Sequence, residues 1–356
     1  MASRRRFLAS LGAATMTPRL GWGAVGTPVA LSAAMTPDGG FLLVGLDAAG
    51  AIGFQVPLPA RGHAAAAHPH LAEVVAIARR PGTFALVVDC ATGAVSQTLS
   101  APKGRHFYGH GAFSSDGTLL FTTENDVATG EGRIGVWDPR LGYARVDEFA
   151  SGGIGPHEVL RLPSGNLAVA NGGIRTHPDT GREKLNLDSM RANLAVFSPS
   201  GHLIDRAEVA EDIHHNSLRH IAVADDGTVA CGFQWQGDPF DAPSLLALYR
   251  GDGILEPAQI DESQLLRLDG YIGSVSAYQQ GGFAVSSPRG GRVLAFDRAG
   301  VLQEAHSAED ICGLTRNARS ECLATDGFGR VYTLGSGQLR AVQVHPVAFD
   351  NHLVAL

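Results

Sequence analysis

The chain has 356 residues, 44% hydrophobic and 18% charged, with a formal net charge of −7. That length holds two ordinary domains or one large repeat domain, and the lack of any dense Lys/Arg run beyond residue 6 excludes the electrostatic footprint that nucleic acid requires. No apolar stretch reaches the roughly 18–20 residues that span a bilayer.

In chain order, the first feature is Ser3-Arg4-Arg5-Arg6-Phe7-Leu8, followed by a short, weakly apolar stretch to Met16. It resembles the twin-arginine export signal, Ser/Thr-Arg-Arg-x-Phe-Leu. Residues 1–26 therefore read as a targeting segment outside the fold, residues 27–356 as one domain, and the periplasm as the destination. Such substrates cross the membrane folded, often with a metal or cofactor already inserted. An oxidising compartment permits disulfides. Of Cys90, Cys231, Cys312 and Cys322, the last two flank a predicted hairpin near Asn317 and could face each other across it. The alternative is four small buried side chains.

From residue 39 onward the chain repeats itself. Residues 39–63 and 82–106 share one cadence: Gly, an apolar strand, Asp, a small turn ending in Gly, a second strand, then an approach to His. Turn signals recur at Ser115-Asp116-Gly117, Pro163-Ser164-Gly165 and Asp225-Asp226-Gly227, each between two short strands. The 45 Gly and 18 Pro are spread along the whole chain, as many short strands demand. A period of about 45–50 residues is that of a four-stranded propeller blade. Seven units begin near Val29, His63, His110, His157, Arg219, Tyr271 and Ile311. The first has only three strands, and residues 349–356 match the start of the others. The expected fold is an all-β, seven-bladed propeller closed by its C-terminal strand, which removes two exposed edges. A β-helix or tandem sandwiches fit this three-plus-one split less well.

Propeller connections fall on two faces. Those between strands one and two, and three and four, are tight here. The other class is long and ionisable: residues 124–133, 171–193 and 234–243. Long loops in a compact domain tend to be functional or disordered, so the site is expected on that face. His63, His110, His157, His220 and His352 fall near the start of five innermost strands, ringing one channel mouth; Cys312 and Gly273 hold the place in two other blades. Converging imidazoles suit iron, copper or zinc, with two or three as ligands to one ion. The alternative is that they hydrogen-bond blade to blade. His68 and His70 lie close by in sequence. Arg61, Arg105, Arg175, Arg182, Lys184, Arg191 and Arg219 make the mouth cationic, suited to a carboxylate or phosphate ligand. The alternative is ion pairing with Glu124, Glu158, Glu183 and Asp188. No nucleotide fingerprint, GxSxG elbow or HExxH helix is present.

These residues resemble a bacterial family, domain of unknown function 1513. The stretches that carry the resemblance include LPARGH, GRHFYGHGAFSSDG, TEND, GIGPHE, ANGGIRTHPDTGREKLNLDSM, SLRH, SPRGG and FDNHL, which together cover nearly the whole chain after the signal. The resemblance implies a periplasmic seven-bladed propeller, often encoded beside imelysin-type peptidase-like and di-haem oxidoreductase-like proteins. That points to iron acquisition or redox handling, with periplasmic iron-uptake or peptidase-like partners. It adds His106, Glu124, Asn125, Glu158, His177 and Asn351 to the ligand-binding candidates Arg61, Arg105, Arg175, Arg219 and Cys312. His214-His215-Asn216 departs from the pattern, so His215 competes with His220 for the ring position.

The expected function is a monomeric, non-enzymatic accessory protein that binds a metal, a metal complex or a partner on the long-loop face. A metal-dependent hydrolase or oxidoreductase is the second reading, and a pure interaction scaffold the third.

Overall fold

The computed structural model describes residues 19–78, 82–181, 183–317 and 319–356. Seven antiparallel sheets follow one another around an axis. Blade one uses Ala30–Met35, Phe41–Leu46 and Ile52–Leu58, and blade two begins at Gly62–Ala67. The innermost strands of blades three to seven are Arg105–Phe113, Pro156–Arg161, Asn216–Val223, Ser274–Tyr278 and Ile311–Arg316. The chain is thus a seven-bladed β-propeller.

Turn chemistry sets the tight connections. In blade three, Asp116 accepts hydrogen bonds through Oδ1 from the Thr118 amide at 3.0 Å and the Ser114 hydroxyl at 2.7 Å. Gly117 follows with φ +71°, which a side chain would strain. Burial grades outward. Leu167–Asn171 and Asn193–Phe197, the middle strands of blade four, are buried throughout because both faces meet neighbouring blades. The outermost strand Ala94–Ser100 of blade two buries only Leu99.

The ring closes through the C-terminus. Ala348–Phe349 and Val354–Ala355 both pair antiparallel with Ala30–Met35, inside it. Between them the chain leaves the ladder for four residues, Asp350 to Leu353, held by Asp350 N–H to Ala33 O at 2.9 Å and Ser32 Oγ–H to His352 O at 3.0 Å.

The twin-arginine stretch and Arg182 lie outside the described residues. Among the described residues, several that precede 27 also contact the propeller. Trp22 Nε1 donates to His68 O at 2.9 Å, Leu20 O accepts from the Ala72 amide at 2.7 Å, and Trp22 and Val25 pack on the core of blades one and two. Among the described residues no helix is long and apolar enough to cross a membrane.

Of the two readings of the cysteines, four small buried side chains is the one the structure shows, and Cys312 and Cys322 do not face each other. Register places Cys322 opposite Arg316, four residues along the strand from Cys312. Cys312 Sγ donates to Asn351 O at 3.5 Å, and Cys322 Sγ to Ala277 O of blade six at 3.4 Å. All four cysteines are free and buried, and burial pushes each thiol pKa up.

Candidate metal centre

Each ring residue sits where its innermost strand breaks register with its neighbour. The shifts fall between Gly62 and Ala65, Phe107 and Gly111, Pro156 and Glu158, Leu218 and His220, and Ile311 and Leu314. They bracket His63, His110, His157 and Cys312, and in blade five the shift skips Arg219 and ends on His220, which pairs with Gly232. His352 lies in the interruption of the closing strand. A bulge of this kind re-aims a side chain, and here it turns imidazoles to the axis. In blade six Ser274–Tyr278 pairs without a shift and no histidine is present.

The five imidazoles form one cluster. The His352 ring centroid is 4.7 Å from those of His63 and His110 and 5.0 Å from that of His220. His157 lies 4.8 Å from His110 and 4.9 Å from His220. One nitrogen each of His63, His110 and His352 falls within 4.8 Å of the others. Three nitrogens around one zinc-sized ion stand about 3.4 Å apart for bonds of about 2.1 Å, so the rings need draw in by roughly 1.4 Å, within reach of side-chain rotation. Gly109 makes the room: a Cβ there would stand 2.4 Å from His63 Cδ2, and its φ is +104°.

Glu158 braces the cluster. Oε1 lies 3.6 Å from His110 Nδ1, Oε2 lies 3.6 Å from His220 Nδ1, and Oε2 accepts the Ile221 amide at 2.9 Å. Burial raises the Glu158 pKa, against the pull of His110. Burial also brings His110 down to about 3, with Glu158 opposing and His352 and His220 adding to the fall. His220 drops to about 3 through burial and then Arg219. His157 lies well below its ordinary value, from burial and then His110 and His220. These rings are neutral near pH 7, the form that coordinates metal. Buried His110 Nε2 and His157 Nδ1 have no hydrogen-bond partner, an arrangement that buried polar atoms rarely keep.

The charged candidates around the mouth are largely committed to other neighbours. Arg61 Nε pairs with Asp350 at 2.6 Å, and Arg105 with Asp126 and, at 2.8 Å, Glu148. Glu124 is fully buried and accepts both Nη1 and Nη2 of Arg145, at 2.6 and 2.9 Å. Arg191 pairs with Glu211 at 3.0 Å. His177 Nδ1 accepts the Asp179 amide at 3.2 Å, and Arg175 Nη2 donates to Ala128 O at 3.4 Å. His106, Asn125 and Arg219 are buried. His214 and His215 lie together, their rings 4.0 Å apart, and the ring of His215 sits 5.8 Å from Trp235; His220 is the ring residue. His68 Nδ1 accepts the amides of His70 and Leu71, both at 3.1 Å.

The axial cavity lies on the opposite side of the rings from the long loops, where the sequence places the site. A cavity of about 620 Å³ occupies the axis. His110, Glu158, His220 and His352 floor it, and its walls run along the innermost strands to Arg161, Asp225, Arg316 and Asn317, where the tight turns begin. It opens on the tight-turn face. On the long-loop side of the rings, His106, Tyr108, Ser217 and Arg219 are buried. There the loop of residues 171–193 folds inward, burying Ile174, Thr176 and Met190, with Tyr108 Oη 3.4 Å from Thr176 Oγ1. These described parts of the long loop are packed against the blades, because its apolar residues find burial there.

Sequence reasoning missed Arg145, the bulges and Gly109. The Gly109-His110-Gly111 triplet was the available signal, since glycines flanking a histidine mark a close approach.

The chain is similar in fold to solved propellers of unrelated sequence. A structure described as streptogramin B lyase matches with a TM-score of 0.54 and 12% identity, over 77% of this chain and 80% of that one. A structure described as the mitotic checkpoint complex matches with a TM-score of 0.57 and 14% identity, over 79% and 76%. At these identities the likeness shows the fold alone. No curated protein matches significantly. A family model described as "Protein of unknown function (DUF1513)" matches residues 56–356, from blade one's third strand through the closing strand, and the chain therefore belongs to that family.

Proposed function

We propose that this protein holds one transition-metal ion at the propeller axis, with His63, His110 and His352 as ligands and Glu158 orienting His110. The observation that carries this reading is the buried His110 Nε2, which lacks a hydrogen-bond partner within a set of three imidazoles whose nitrogens lie within 4.8 Å. A carboxylate on the far nitrogen of a ligating histidine is the usual support of such a site. An all-imidazole set suits iron, copper or zinc and disfavours calcium or magnesium, which take oxygen.

The role that fits is an accessory one in periplasmic iron acquisition or redox handling, after twin-arginine export of a folded, metal-loaded chain. Its support is the Arg4-Arg5 signal pattern and the family resemblance. A metal-dependent enzyme is the second reading, favoured by the cavity that ends on the rings. Elemental analysis of protein recovered from the periplasmic fraction of its native host tests the proposal. About one equivalent of iron, copper or zinc is expected in the wild type, and none in a folded His110→Ala/His352→Ala double variant. A metal-free wild type that also takes up no added Cu²⁺, Zn²⁺ or Fe²⁺ overturns it.

A further inference from the structure

The axial cavity has a chemistry of its own beyond the ring of histidines. Three imidazoles leave open at least one of the four positions that zinc or copper commonly fills. The acidic group described at the floor is Glu158, which is placed against His110 Nδ1 and His220 Nδ1. A divalent ion bound by neutral imidazoles keeps its full charge, offset only by Glu158. A buried net positive charge of this size calls for an anion.

The walls are mixed: half-buried Ala65, Ala67, Leu160 and Val223 line them together with Ser274, Ser276 and Thr315. At the mouth Arg316 is held by Asp225 at 3.0 Å. Arg161, the last residue of its strand, lines the same mouth, is exposed, and has no ion pair among the described residues. From Glu158 to Arg161 the strand rises three residues, about 10 Å at roughly 3.3 Å each. A flexible guanidinium folding inward leaves room for a short chain between the two positive poles. The volume of about 620 Å³ is within the usual range for small-molecule sites, roughly 300–1,000 Å³.

We infer that the axial cavity is the ligand chamber of the metal centre and takes, from the tight-turn face, a small dicarboxylate: one carboxylate completes the coordination of the ion, a short methylene middle lies along the innermost strands, and the second carboxylate meets Arg161. The inference rests on the metal reading above and is testable apart from it.

The experiment titrates Cu²⁺-loaded full-length protein with glutarate, acetate or glutaramide and follows the copper absorption and paramagnetic resonance spectra. Glutarate and acetate are expected to change the spectra saturably and the neutral diamide not at all. Glutarate should bind about 3–10-fold tighter than acetate through its second charge. Arg161→Gln should abolish that advantage while leaving acetate affinity and copper stoichiometry unchanged. Ala67→Phe, which narrows the chamber, should weaken both acids. Failure of the wild type to take up copper overturns the metal reading and this inference with it. Copper uptake with spectra indifferent to both acids overturns this inference alone. So does a glutarate advantage that is absent in the wild type or persists in Arg161→Gln.

Discussion

Glu158 Oε1 stands 3.6 Å from His110 Nδ1, and this contact fixes which nitrogen His110 presents to the axis. With Nδ1 turned to a carboxylate, Nε2 is left buried without a hydrogen-bond partner. Glu158→Gln keeps the shape and removes the charge that orients the ring. Loss of such a support costs about 10–100-fold in metal affinity. Competition titration with a chromophoric chelator should show a loss of that size with melting little changed; undiminished affinity would remove Glu158 from the site.

Gly109→Ala should damage the cluster from the backbone side. The new Cβ would stand 2.4 Å from His63 Cδ2 at φ +104°. Gly165→Ala is the control, at φ +87° with nothing within 4 Å. The control bears only the left-handed strain, about 1–2 kcal/mol. Gly109→Ala should lose roughly 1–3 kcal/mol beyond that through overpacking, together with metal uptake. Denaturant titration of both variants gives the comparison, and equal losses would mean that His63 has room to move.

Deleting residues 349–356 should open the ring. The deletion strips Ala30–Met35 of nearly all its inner partner and exposes the strand edge. Insolubility or a large fall in melting temperature is expected. Leu353→Ala is the milder form. Leu353 is buried in the cluster that joins blades one and seven, and the truncation should cost about 2–4 kcal/mol. Unchanged melting of both proteins would show that closure does not depend on the C-terminus.

His68 should make stability depend on pH. Its ring is brought down to about 4, first by burial and then by His70 and Arg19. Its Nδ1 must stay unprotonated to accept two amides. The folded state therefore favours the neutral ring, and below about pH 6.5 the unfolded chain binds the proton more readily. This contribution is complete above about 6.5 and drains as pH falls toward 4, by about 1.4 kcal/mol per pH unit. In His68→Asn, which keeps an acceptor and cannot titrate, urea denaturation at pH 7 and pH 5 should show a shallower decline than wild type. Equal slopes would acquit His68.

The repeat itself was legible in the sequence. Turn residues such as Ser115-Asp116-Gly117 and the recurrence of strands at blade spacing give seven units, and FDNHL supplies the missing inner strand. Local turn chemistry and side-chain alternation are short-range properties, so they survive in one dimension. The five histidines were also visible as a set, because equivalent places in a repeat face the same axis. Their convergence into one cluster, the placing of Glu158 between His110 and His220, and the opening of the cavity toward Arg161 were decided only by the tertiary structure. Each depends on a one- or two-residue register shift at the innermost strand. Pairing between strands sets such a shift, and nothing in the residues themselves announces it. The same limit hid the ion pairs of Arg61 with Asp350 and of Arg145 with Glu124. One joins residues at opposite ends of the chain and the other spans two strands, so neighbours brought together by folding, not by sequence, determined that these charges serve the fold.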